Sequence, residues 1–195
     1  MKVLAALQLD IAAVMDNKQL KQQLRQYLPE LPRRVDRLTW QCLLAGAPFK
    51  PQLHSSCGLY LASQYPSRDT MASLLNSVCV AQLQPKPFEF VNSVSNAASF
   101  YLARLLGLDG PNLCLGSHAG IWPQLLQLAQ CDLVAGHVQQ ALLINCREES
   151  AGDCQLQVVL VQAEGTAETG RWWLSADFAQ LAARAEAVLS HTIPI

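Results

Sequence analysis

Apolar and polar positions change period several times along this chain of 195 residues, and the changes mark out its elements. Residues 1–15 alternate loosely, which predicts a strand and a following loop. Residues 17–28 carry Lys18, Lys21 and Arg25 on a helical pattern closed by Pro29 and Pro32. Leu38, Trp40, Leu43 and Leu44 predict a second helix over 35–45, ending at Gly46 and Pro48. A short buried strand is predicted over 56–63. A helix opening at Pro66-Ser67-Arg68-Asp69, with Ser67 as its N-cap, is predicted through Leu83. Pro85 and Pro87 bracket a connector, and the spacing then predicts a helix from Val94 to Leu106, stopped by Gly107.

The apolar strand Leu113-Cys114-Leu115-Gly116 leads through Ser117-His118-Ala119-Gly120 into a helical run from Ile121 to Val134. Three strand-like runs follow at 141–146, 156–162 and 171–175, with residues 165–170 read as a hairpin loop. Trp172 and Trp173 fall in the last strand, so one ring should face the core and the other solvent. A closing helix is predicted over 177–189. Helices alternating with strands give an α/β fold, with layered helices on a mixed central sheet. No linker or repeat interrupts it, so residues 1–195 read as one domain.

The strand, elbow and helix around residues 113–134 are how several enzyme folds present a nucleophile. The helix N-terminus supplies unpaired N–H groups and partial positive charge. The elbow, however, contains no cysteine. Ser117 and His118 are adjacent, so their side chains diverge and a direct Ser–His bond is awkward. The G-x-S-x-G spacing fails as well, because Leu115 and Ala119 occupy the glycine positions. Ser117 therefore reads as an N-cap. His118 points to a partner or fills a polar pocket, and Trp122 is core or the plug of a tunnel.

Composition narrows the function classes. Hydrophobic residues make up 51% of the chain and charged ones 15%, so either a partner covers apolar surface or the core is large. The formal net charge is −1 without a basic stripe, which argues against nucleic acid. Arg33, Arg34 and Arg37 read as a solvated face or, alternatively, a carrier-protein docking patch. No run of ~18 apolar residues and no signal-type N-terminus appears, so no membrane span is expected. The seven cysteines form no C-x-x-C pair and read as buried thiols of a reducing compartment, the cytoplasm. Asp132 and Asp153 stand alone, and neither a metal nor a cofactor is expected.

Four segments in consistent order carry a family resemblance. They are Arg34-Val35-Asp36-Arg37-Leu38, Pro87-Phe88-Glu89-Phe90-Val91-Asn92-Ser93-Val94-Ser95-Asn96-Ala97-Ala98, Leu105-Leu106-Gly107-Leu108-Asp109-Gly110-Pro111-Asn112, and Ala135-Gly136-His137-Val138-Gln139-Gln140-Ala141-Leu142-Leu143-Ile144. Together they resemble the N-terminal half of β-ketoacyl synthases of the thiolase fold. Arg147-Glu148-Glu149 resembles the end of that family's glycine-rich strand, though a solvated charge cluster is the simpler reading.

The resemblance places the family's acyl-accepting cysteine on Ala119, and a methyl group can neither attack nor carry an acyl chain. Cys114, inside the strand, reads as a small buried hydrophobe. The family's catalytic histidines belong to its C-terminal half, and His191 lies in no matching motif. What the resemblance implies is a catalytically silent subunit, similar to the chain length factors of type II polyketide and aryl polyene pathways. Its partners would be a full-length β-ketoacyl synthase, or a second copy of itself, and an acyl carrier protein. Leu113, Cys114, Leu115 and Gly116 would pair across the dimer axis. Val94, Ala98 and Leu102 would line either the core or the acyl tunnel. Two further readings stand beside this one: an acyltransferase with a different nucleophile, and a homodimeric scaffold that binds acyl carrier protein.

Overall fold

The computed structural model describes residues 1–148, 152–164 and 172–189. The chain runs β1 (Lys2–Ile11), α1 (Asn17–Leu24), α2 (Arg37–Gly46), a 3-10 turn (Ala47–Gln52), β2 (Gly58–Ser63), α3 (Arg68–Leu75) with a π turn after it (Asn76–Val80), and α4 (Pro87–Asn92). It continues through α5 (Ala97–Leu106), β3 (Asn112–Gly116), α6 (Ile121–Val134), β4 (Gln140–Glu148), β5 (Cys154–Gln162), a 3-10 turn (Trp172–Ser175), α7 (Phe178–Arg184) and β6 (Ala187–Leu189). The strands form one sheet in the order β3-β2-β4-β5-β1-β6. Strand β2 is parallel to β3 and β4, β6 is parallel to β1, and β5 runs antiparallel to both β4 and β1.

Both faces of the sheet are covered, so its strands alternate between two apolar sets. One face presents Leu7, Leu59, Leu61, Leu142, Ile144, Val158 and Leu160 to α1, α2 and α5. The other presents Val3, Ala6, Tyr60, Leu143, Val159 and Val161 to α6 and α7. Asp16 and Asp36 start α1 and α2 by accepting the Gln19 and Thr39 amides, both at 2.8 Å. Helix α2 meets α5 closely: a Cβ on Gly46 would sit 2.9 Å from Leu102 Cδ1. No helix among the described residues is long and apolar enough to cross a membrane.

Several local expectations are corrected. Ser67 holds the N-cap position of α3 as expected, but with a left-handed φ of 59°, and its Oγ donates to the Val94 carbonyl at 2.8 Å instead of accepting from the helix's own amides. Helix α3 ends at Leu75, short of Leu83. The predicted 94–106 helix begins only at Ala97, because the chain turns through Ser93–Asn96 after the separate helix α4. Val94 lies in that turn. Residues Trp172–Ser175 form a 3-10 turn rather than a strand, with both tryptophans half-buried. Helix α7 stops at Arg184, since Ala185 turns extended and 187–189 pair with the free edge of β1. Cys79 and Cys131 are exposed rather than buried, whereas Cys146 and Cys154 place their sulfurs 3.2 Å apart inside the first core. The predicted 165–170 loop, Glu149, Arg171 and His191 lie outside the described residues.

Asp132 is not alone. The buried Tyr60 hydroxyl donates to its Oδ2 at 2.5 Å, and His137 Nδ1 lies 3.0 Å from its Oδ1. The Tyr60 bond first, and His137 second, hold the Asp132 carboxyl below its ordinary range. A carboxyl depressed in the folded state stabilises it above the unfolded value of about 4, and that support is lost as pH falls through the lower folded value. Tyr60→Phe should therefore cost about 1 kcal/mol at pH 7 in chemical denaturation and lessen the acid-induced loss below pH 4.

The turn before β3 has no room for a side chain. A Cβ on Gly110 would lie 2.5 Å from the Cys57 carbonyl oxygen, a backbone atom that cannot swing away. Gly110→Ala should lower stability by about 2 kcal/mol, read from the denaturation midpoint.

Candidate functional site at the elbow

The parallel strands β3, β2 and β4 carry their C-terminal ends to one edge of the molecule, where open α/β sheets present their loops to ligands. The Ser117 amide donates to the Ser63 carbonyl at 2.9 Å and carries the β2–β3 ladder one residue into the elbow. The chain then turns through Gly120, whose φ of 81° requires a left-handed conformation, and enters α6.

Side chains at the elbow do not form a nucleophile and base. Ser117 Oγ donates to Asn145 Oδ1 at 2.7 Å, across to β4. His118 turns away: its Nδ1 lies 2.6 Å from the Ala119 carbonyl and its Nε2 3.2 Å from Gln124 Oε1. Ser117 is not the N-cap of α6 either, because Gly120 holds that position without a side-chain cap. Ala119 stands exposed at the tip between His118 and Gly120. Cys114 Sγ donates to the Ser95 carbonyl at 3.1 Å, and burial pushes its thiol up, so it is not poised as a thiolate.

Beneath the elbow lies a cavity of about 440 Å³. Its floor follows from alternation within the sheet. On the α6 face the strands are apolar through Leu143, Val159 and Ala6, then turn polar toward the elbow at Asn145, Arg147, Gln157 and Gln8. Trp122, 5% exposed, walls one side: its Nε1 donates to Gln157 Oε1 at 3.0 Å and its ring lies 5.7 Å from that of Phe178. Asp177 lines the rim, but its Oδ1 accepts the Gln180 amide at 2.9 Å and caps α7.

Trp122, Ser117, His118 and Ala119 thus gather at one cavity. Ala98 and Leu102 sit elsewhere, buried in the first core, and Val94 is exposed in the turn before α5. Asn145, Gln157, Gln8 and Phe178 are site residues that the sequence reading missed. For the three amides part of the signal was present, since polar side chains recur at every second position near one end of β1, β4 and β5, but their register and the approach of Phe178 came only with the structure. Among the described residues no cluster of three His, Cys, Asp or Glu side chains converges as a metal site would.

Strand β3 is the edge of the sheet, with Leu113 exposed and Cys114 and Leu115 half-buried. Exposed apolar side chains concentrate in the segment that leads to it. Met71 and Leu75 on α3, where no residue is buried, are followed by Val80, Leu83, Phe90 and Phe100.

No family model matches the chain, and no curated protein matches it. Solved structures do. The ishigamide ketosynthase/chain length factor matches over 74% of this chain and 49% of its own, at 18% identity and a TM-score of 0.62. The ketosynthase ApeO in complex with its chain length factor ApeC, from Xenorhabdus doucetiae, matches over 81% of this chain and 78% of its own, at 16% identity and a TM-score of 0.55. A β-ketoacyl synthase from Burkholderia phymatum matches over 70% and 46%, at 12% identity and a TM-score of 0.54. The chain spans about half the length of the first and third of these proteins. Its fold is the α/β, thiolase-like fold of ketosynthases and chain length factors, as the four sequence segments implied.

The Ser117–Asn145 bond ties the elbow to β4. Ser117→Ala should leave the Asn145 oxygen without its donor and cost about 1–2 kcal/mol, measured by denaturant unfolding.

Proposed function

We propose that this chain is a catalytically silent, chain length factor-type subunit that pairs with an active β-ketoacyl synthase in polyketide-type chain elongation. The reading extends to the finer setting: aryl polyene synthesis in the cytoplasm, with acyl carrier protein delivering the growing chain and residues 1–195 acting as one domain. One observation carries it. The tip of the elbow, where this fold family would present its nucleophile, is a methyl group at Ala119, while the neighbouring hydroxyl and imidazole are bonded elsewhere.

Unpartnered surface supports the pairing half of the reading. An edge strand with exposed Leu113, next to a segment rich in exposed apolar side chains, is a liability unless another sheet edge or apolar face covers it. Covering it with a synthase would extend one sheet through both subunits. The tunnel role of Val94, Ala98 and Leu102 belongs to this paired state, since Ala98 and Leu102 are packed into the first core here.

Co-expression with a candidate β-ketoacyl synthase tests the pairing. The expected result is a stable complex on gel filtration, weakened at least tenfold by Leu113→Asp, which places a charge on the edge. Intact-mass measurement after incubation with acyl-carrier thioesters is expected to show no acyl adduct on this chain. An adduct on the chain alone would establish an acyltransferase instead. Stable self-association that excludes the synthase would favour a homodimeric scaffold.

A further inference from the structure

We infer that the elbow cavity is a binding site for a short-chain carboxylate, held by the Asn145 side-chain amide and the Arg147 guanidinium. Asn145 is 2% exposed and follows the apolar run Ala141, Leu142, Leu143 and Ile144 in β4. A buried amide in such a strand costs free energy unless its groups are bonded. Only half of this one is bonded within the described residues. Ser117 Oγ donates to Oδ1, which fixes the orientation of the amide. Among the described residues the Nδ2 end has no hydrogen-bond acceptor, and Asn145 lines the cavity.

Arg147 stands two residues further along β4, on the same face and in the same cavity wall. Among the described residues its guanidinium makes neither an ion pair nor a hydrogen bond. The ion pair nearby in sequence, Arg68–Glu148, involves the residue of opposite orientation and is separate from the cavity. Both residues line one cavity, and among the described residues neither donor is assigned a protein acceptor.

Two described carboxylates on this side of the sheet accept amide hydrogen bonds. Asp177 caps α7, and Asp10 accepts Gln155 Nε2 at 3.0 Å and Gln8 Nε2 at 3.4 Å. What remains is a buried neutral donor beside an exposed cationic one, near the positive end of α6. That combination suits an anion with two oxygens, because a charge-assisted bond to the guanidinium adds to the amide bond. The opposite wall is apolar, formed by Ile121, Trp122 and Phe178, so a short hydrocarbon tail fits better than a bare inorganic anion. The cavity, at about 440 Å³, has room for a few carbons and their carboxylate.

The inference stands independently of the pairing with a synthase and is tested on the purified full chain. Butyrate and its neutral isostere butyramide are titrated at constant ionic strength, with calorimetry and tryptophan fluorescence as readouts. Saturable binding of butyrate is expected, with butyramide at least tenfold weaker. Arg147→Gln, at an exposed position, should weaken butyrate by about tenfold or more while leaving the unfolding midpoint unchanged. Asn145→Asp keeps the shape of the side chain and puts a carboxylate where the donor stood, and should abolish binding. Wild-type chain that fails to bind butyrate saturably overturns the inference. So do butyramide binding as tight as butyrate, and unaltered affinity in Arg147→Gln. A chain that binds butyrate but does not co-purify with a synthase retains this site and loses the pairing; the converse result separates them the other way.

Discussion

The backbone of Gly110 lies against the backbone of Cys57, and the position of the elbow follows from that contact. With no side chain between them, the turn closes tightly enough for Asp109 N to donate to Ser55 O at 2.7 Å and for Leu59 N to donate to Pro111 O at 2.8 Å. From there β3 runs parallel to β2 in register, Leu59 beside Asn112 through Ser63 beside Gly116. The ladder ends in the Ser117–Ser63 bond. Ser117 is thus delivered beside Asn145, and α6 starts where its first residues can roof the polar end of the sheet.

That polar end distinguishes the two helical layers. The face toward α1, α2 and α5 is apolar along the strands through Cys146 and Cys154, and it serves as core. The face toward α6 and α7 is apolar for only part of its length and then becomes Asn145, Arg147, Gln157 and Gln8. A sheet buried entirely by helices has no use for amides at matched positions on three neighbouring strands. The same alternation that packs the core therefore marks out the cavity, and Trp122 joins the two, its ring in the second core and its N–H on Gln157.

On its other side the molecule presents the opposite problem. The segment from α3 to β3 exposes leucines, valines and phenylalanines rather than amides, and β3 leaves one edge of the sheet unpaired among the described residues. Water tolerates scattered apolar residues, but a run of them beside an open edge is a surface suited to another protein. An elbow without a thiol and an apolar flank are what the proposed silent, paired subunit would need.

The order of the long elements was legible from the sequence alone. Loose alternation in β1, apolar runs in β4 and β5, helical spacing in α2, α5 and α6, and the glycines at 107 and 110 specify local conformation regardless of what packs nearby. Ala119 at the elbow was equally legible, since the absence of a thiol there is a matter of counting. Tertiary structure decided what depends on contacts distant in sequence. The Ser67 hydroxyl bonds to Val94 and not to the amides of the helix it starts, residues 187–189 become a strand because β1 has a free edge to offer, and Tyr60 claims the carboxylate of Asp132. The cavity belongs to this second class. Each of its amides sits in an ordinary strand pattern, and only the register between strands β1, β5 and β4 brings them to one floor.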